Sequence, residues 1–152
     1  MATKVDAARG LYEDDFYAWT RQQATLLRAR RFAALELDHL IETILEAGDM
    51  QREAALSNAR VVMEHFLKLA HSPALDPRNG WRATVREHRA RLELGLTPQL
   101  RQALQDELPR VYAIARRNAE GALRDHGEAA AADALPTTCP YALDQIIGDW
   151  WP

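Results

Sequence analysis

The 152-residue sequence has a single cysteine, Cys139. That excludes an internal disulfide framework and any zinc cluster built on cysteines. A lone thiol also suits a reducing compartment. Glycine and proline are scarce, seven of each. No glycine-rich phosphate loop, G-x-S-x-G elbow or H-E-x-x-H pair occurs, which removes the motif-borne routes to nucleotide, hydrolase and zinc-protease chemistry. No stretch approaches the roughly 18 apolar residues of a membrane span. The opening MATKVDAARGLYEDD carries no apolar core of a secretion signal. The net charge of −3 exerts no global pull on nucleic acid. The expectation is a cytoplasmic protein with no cofactor, no metal and no membrane association.

What the sequence does have is alanine, leucine, arginine and glutamate, a mixture that favours helix. Hydrophobic residues make up 47% and charged residues 27%, ordinary for a globular protein. No segment alternates with a period of two between turn residues, so strands are not expected. The predicted class is all-α, an irregular bundle of five to seven helices in one domain over residues 12–152, after a flexible tail over 1–11.

The helix boundaries follow from local signals. Asp14 or Asp15 caps a first helix whose stripe carries Tyr12, Phe16, Trp19, Gln23, Leu26 and Leu27. Arg28, Arg30 and Arg31 suit its negative C-terminal end. A second helix runs from about Arg31 to Ala47, with Leu37, Leu40, Ile41, Ile44 and Leu45 on its apolar face and Gly48 as its stop. Asp49 restarts the chain, and a third helix reaches His71 before Pro73 and Pro77. A fourth spans Gly80 or Trp81 to Gly95. Thr97 and Pro98 open a fifth, which Pro109 either kinks or divides and Gly127 closes. A short helix and a last one from Pro140 to Ile147 follow. Trp150 and Trp151 are expected to dock back on the body, because exposing two large rings forfeits burial worth roughly 2 kcal/mol or more each.

Four constellations bear on function. In ARVVMEHFLKLAH, Arg60 and His65 have the Arg-x4-His spacing of HEPN ribonucleases, where histidine moves a proton and arginine holds phosphate, and Lys68 lies nearby. Against this, Arg60 and His65 point about 140° apart on a regular helix. Structural roles are the preferred reading, with Leu56, Ala59, Met63, Phe66, Leu67, Leu69 and Ala70 facing the core.

Glu36 and His39 form one E-x-x-H motif. Di-iron bundles need two, facing inward, whereas here Glu36, His39, Glu42 and Glu46 fall opposite the apolar stripe, as a solvated acidic face. In WRATVREHRARL, Arg82, Arg86 and Arg89 share a stripe able to grip phosphates or carboxylates. Pairing with the acidic run Glu36, Asp38, Glu42 and Glu46, within a subunit or between two, is preferred. His88 and Cys139 are expected in the core.

The segments YEDDFYAWTRQQATLLRARRF, HFLKLAH, GWRATVREHR and CPYALDQIIGDWWP, in this order, resemble the bacterial family catalogued as domain of unknown function twenty-nine, frequent in cyanobacteria and proteobacteria. The resemblance covers residues 11–152. It implies an α-helical fold and a bacterial cytosol, and brings no activity, cofactor or site residue. Relatives often carry glutamine at the position of His88, which speaks against an acid–base role there. The function expected is a non-enzymatic protein–protein interaction or regulatory module. A homodimer is one form of it, its interface drawing on Trp81, Trp150 and the arginine face. The alternative is an RNA binder or HEPN-like, metal-independent ribonuclease using Arg60, His65 and Lys68, with Arg82, Arg86 and Arg89 on phosphate.

Overall fold

The computed structural model describes residues 10–152. The all-α class holds: the described residues form helices and no strand. Residues 10–14 are helical. They are followed by α1 (Phe16–Arg28), a 3-10 turn (Phe32–Ala34), α2 (Leu37–His71), α3 (Arg78–Gly95), α4 (Pro98–Asp125), α5 (Ala129–Asp133) and α6 (Leu143–Ile147). Most of the tail expected over 1–11 lies outside the described residues. The chain divides into two compact units, the first ending at Asp49 and the second running from Met50 to Pro152.

Local signals explain most helix ends. The Asp15 carboxylate accepts from the Ala18 backbone N–H at 2.9 Å and starts α1. The end of α1 is wound left-handed at Arg30, φ 53°, so that the Arg31 N–H reaches back to the Leu26 carbonyl at 2.9 Å. Thr97 caps α4 through the Leu100 N–H, and Pro98 follows at the first helical position. Gly127, φ 78°, closes α4.

One boundary differs from expectation, and one alternative left open is decided. The predicted second and third helices are one helix, α2, of 35 residues. Gly48 is only a stop if the chain turns left-handed there. Its helix-interior cost is about 1 kcal/mol against alanine, and good helix formers on both sides outweigh it. Pro109 lies within α4 without dividing it. The lost N–H removes one backbone bond, and α4 buries Leu104 and Leu108 before the proline and Val111 and Tyr112 after it, which holds the two halves together.

The second unit has a continuous core. Met63, Phe66 and Leu67 of α2 meet Val85 of α3, Leu104 of α4 and Ile146 of α6, all essentially inaccessible. The expected inward face of this part of α2 is correct except for Ala70, which is exposed. The expected docking of the C-terminal rings is partial: Trp151 is half-buried, and Trp150 meets Phe66 edge-on at 5.5 Å while staying 39% exposed.

The first unit is different. Among its described residues only Trp19 and Gln23 are buried. The residues around the start of α2 that meet the preceding helical segments are polar: Glu36, just ahead of α2, and His39. Glu36 accepts from Trp19 Nε1 at 2.9 Å and from the Gln23 amide at 3.1 Å. The His39 ring stacks on Tyr12 with centroids 3.9 Å apart. This corrects the predicted orientation, in which Glu36 and His39 faced solvent and the aliphatic stripe faced inward. Trp19 and Gln23 carry buried N–H donors that need an acceptor, and Glu36 supplies it. The aliphatic stripe is left outside.

Candidate functional site

The polar edge of α2 in the second unit gathers the proposed catalytic trio into a ladder. Arg60 donates to Glu64 at 3.3 Å, and Lys68 approaches the other oxygen of Glu64 at 3.4 Å. Asn118 of α4 also donates to Glu64 at 3.3 Å. Lys68 lies 3.4 Å from His65 Nε2. The other ring nitrogen of His65, Nδ1, is 2.8 Å from the Val61 carbonyl. A carbonyl only accepts, so Nδ1 carries the proton and Nε2 receives from the Lys68 ammonium. Burial first, and the neighbouring Lys68 charge second, push the His65 pKa below its ordinary value. Arg60, His65 and Lys68 are thus brought into one network, but Glu64 sits at its centre and takes up the positive charge. Lys68 is buried, although helical periodicity placed it on the charged side.

The arginine stripe divides by depth. Arg82 and Arg86 are exposed and Arg89 is buried. Arg89 Nε donates to the Ile146 carbonyl at 2.9 Å, and its Nη2 donates to Gln145 and Trp150 carbonyls, both at 2.6 Å. Its guanidinium lies over the rings of Phe66 and Trp151, 5.0 and 5.1 Å from their centroids. Burial lowers its pKa, and Asp149 partly offsets that. Arg89 is therefore a clamp on the α6 segment. Arg82, Arg86 and Arg89 do line one groove of about 560 Å³, together with Glu93, Asp149 and Trp151. Among the described residues, neither Arg82 nor Arg86 forms an ion pair, whereas Arg91 of the same helix pairs with Glu87. Glu36, offered as a complement to this stripe, spends its oxygens within the first unit on Trp19, Gln23 and His39.

His88 is hydrogen-bonded as expected, its Nδ1 2.7 Å from Asn58 Oδ1, but half-buried where a core position was expected. Cys139 is half-buried, and burial raises its thiol pKa, which leaves it mostly protonated and a poor nucleophile. Among the described residues no three histidine, cysteine or acidic side chains cluster as a metal would require. No helix among them is long and apolar enough to cross a membrane.

Periodicity found an apolar stripe on α2 but not that most of it is exposed. In the first unit Leu37, Ile41, Ile44 and Leu45 of α2 are 56–68% exposed. They recur at 37, 41 and 44, with Gly48 next, the alternating four-and-three spacing of a helix–helix seam. α1 and the turn after it add exposed Tyr17 and Phe32. Single exposed aliphatics are ordinary, whereas these four lie close together on one helix.

Comparison with known proteins identifies one family model, described as Domain of unknown function DUF29, that matches residues 11–151. No curated protein and no solved structure matches the chain.

Proposed function

The chain belongs to the family described as Domain of unknown function DUF29, and we propose that it is a helical interaction module that pairs with a second copy of itself. The observation that carries this reading is the aliphatic ridge Leu37–Ile41–Ile44–Leu45, left exposed while Glu36 and His39 meet Trp19 and Tyr12. A unit of about 40 residues with two buried side chains is too small to be stabilised by its own core. A second identical ridge supplies the missing apolar contact. The four-and-three spacing lets two α2 helices lie side by side in an isologous contact about a two-fold axis, and Gly48 lets the backbones approach.

The magnitudes fit a weak dimer. Full burial of such a side chain is worth about 1.5–3 kcal/mol, so those exposed by roughly 60% regain about 1–2 kcal/mol each. Eight across two copies give about 8–16 kcal/mol, against an association cost of about 4–15 kcal/mol. The difference runs from nothing to about 12 kcal/mol, and a Kd between about 1 µM and 1 mM, or about 4–8 kcal/mol, falls inside it.

The ribonuclease alternative needs Arg60 free for phosphate and His65 free to exchange protons. Arg60 is tied to Glu64, and both nitrogens of His65 are engaged. The groove with Arg82 and Arg86 also carries the carboxylates of Glu93 and Asp149, which disfavour a polyanion. The interaction reading needs neither.

Sedimentation equilibrium of the full chain tests it. A monomer–dimer equilibrium is expected, shifted fully to monomer by Ile44→Glu with the helical signal unchanged. A wild-type chain that stays monomeric up to about 1 mM overturns the proposal, as does an Ile44→Glu chain that dimerises as well as wild type.

A further inference from the structure

Within the second unit, a half-open cavity of about 810 Å³ is lined by residues from the end of α2, the Ala74–Pro77 connection, the start of α3 and the end of α4. Small-molecule sites typically occupy about 300–1,000 Å³ and combine apolar walls with a few convergent polar groups. Here Leu75, Pro77, Trp81 and Leu123 form apolar wall, and the polar lining is Lys68, Asp76, His126 and Glu128.

One of those groups is in an unusual state. Lys68 is only 8% exposed, and lysine is almost never buried so far unless it is paired. Its ammonium carries three donors. Glu64 and His65 take two, each at 3.4 Å, and the Trp81 ring lies 5.7 Å away. One donor is left for the cavity that Lys68 lines. Glu128 brings a carboxylate to the cavity lining. His126 adds a further group: its Nδ1–H donates to the Ala122 carbonyl at 2.7 Å, leaving Nε2 for a ligand.

The charges select the ligand class. A simple anion would meet Asp76 and Glu128, and a simple cation would meet Lys68. A molecule carrying both signs on one end of an apolar body satisfies all of them. We propose that this cavity binds a zwitterionic small molecule of the size and chemistry of an aromatic α-amino acid. The carboxylate accepts from Lys68, the ammonium donates to Glu128, and the ring packs on Trp81 and Leu123. This site is independent of the α2 ridge.

Isothermal titration calorimetry of the full chain with three probes tests the assignment. L-phenylalanine carries both charges, 3-phenylpropanoate lacks the ammonium and 2-phenylethylamine lacks the carboxylate. L-phenylalanine is expected to bind, and each analogue at least about tenfold more weakly, or about 1.4 kcal/mol. Glu128→Gln, conservative in shape, is expected to erase the preference over 3-phenylpropanoate, and Lys68→Met the preference over 2-phenylethylamine. Thermal unfolding of both variants establishes that they are folded. The Ile44→Glu chain is expected to bind L-phenylalanine as wild type does, which separates this site from dimerisation. Absence of L-phenylalanine binding at about 10 mM overturns the proposal. So does equal binding of either analogue, or an unchanged preference in a folded Glu128→Gln chain.

Discussion

Replacing Arg89 by methionine is the sharpest test of how the second unit is held together. Methionine keeps most of the side-chain volume, so the change isolates the donors from the packing. Three backbone carbonyls, of Gln145, Ile146 and Trp150, lose their hydrogen bonds at once. Leaving a buried acceptor unsatisfied costs about 1–3 kcal/mol each. Water reaching the groove beside Trp151 recovers part of this, so the expected loss is about 3–6 kcal/mol, a large share of a typical total of about 5–15 kcal/mol. Arg89→Lys keeps the charge on a single ammonium but not the planar fork that reaches three carbonyls at once, and should fall between the two. Urea unfolding followed by tryptophan fluorescence measures the loss. Amide exchange should show faster opening at residues 145–150 before global unfolding. If Arg89→Met costs less than about 1 kcal/mol, the weight of a single net hydrogen bond, the clamp reading is wrong.

Gly48→Ala should stabilise α2 by about 0.5–1 kcal/mol, because the added Cβ meets no atom within 4 Å; a higher unfolding midpoint in urea checks it, and destabilisation would mean the helix is not continuous there. Stability should fall as pH drops below about 6.5, the ordinary histidine value from which His65 and His88 are both lowered by burial. The unfolded chain takes up protons there that the folded chain refuses, and above that pH these two histidines contribute no slope. His65→Gln should flatten the slope in urea melts run across this range. Glu36→Ala strands the donors of Trp19 and Gln23 and should cost the first unit about 2–4 kcal/mol, read as faster amide exchange across α1 with the second unit unaffected.

Features written locally were legible in the sequence. Asp15, the Thr97–Pro98 pair and Gly127 act on backbone groups within a turn or two, and each sits where its chemistry predicted. The inward face of the second half of α2 was equally plain, because seven apolar positions recur at helical spacing and six of them are buried. The first half of α2 was misread for a physical reason. Periodicity assigns hydrocarbon to the inside by default. The orientation was decided instead by two buried donors on α1, which required the Glu36 carboxylate between the helices. Arg89 shares its stripe with Arg82 and Arg86, and nothing within one helix separates them. Its acceptors lie 56 to 61 residues further along the chain, beyond any local pattern. Lys68 was placed with the solvated charges, since its burial depends on Trp81 from another helix. The cavity it lines was invisible for the same reason: its walls come from segments far apart in sequence.

Ribosomes deliver a chain from its N-terminus, so the guanidinium of Arg89 is synthesised long before the carbonyls that receive it. Until residues 145–150 have emerged, a cation destined for the interior has no acceptors, and α3 cannot settle against α2 without stranding it. The closing step of assembly in the second unit therefore belongs to its last-made residues. A nascent chain arrested ahead of them should remain open to proteases and chaperones along α3.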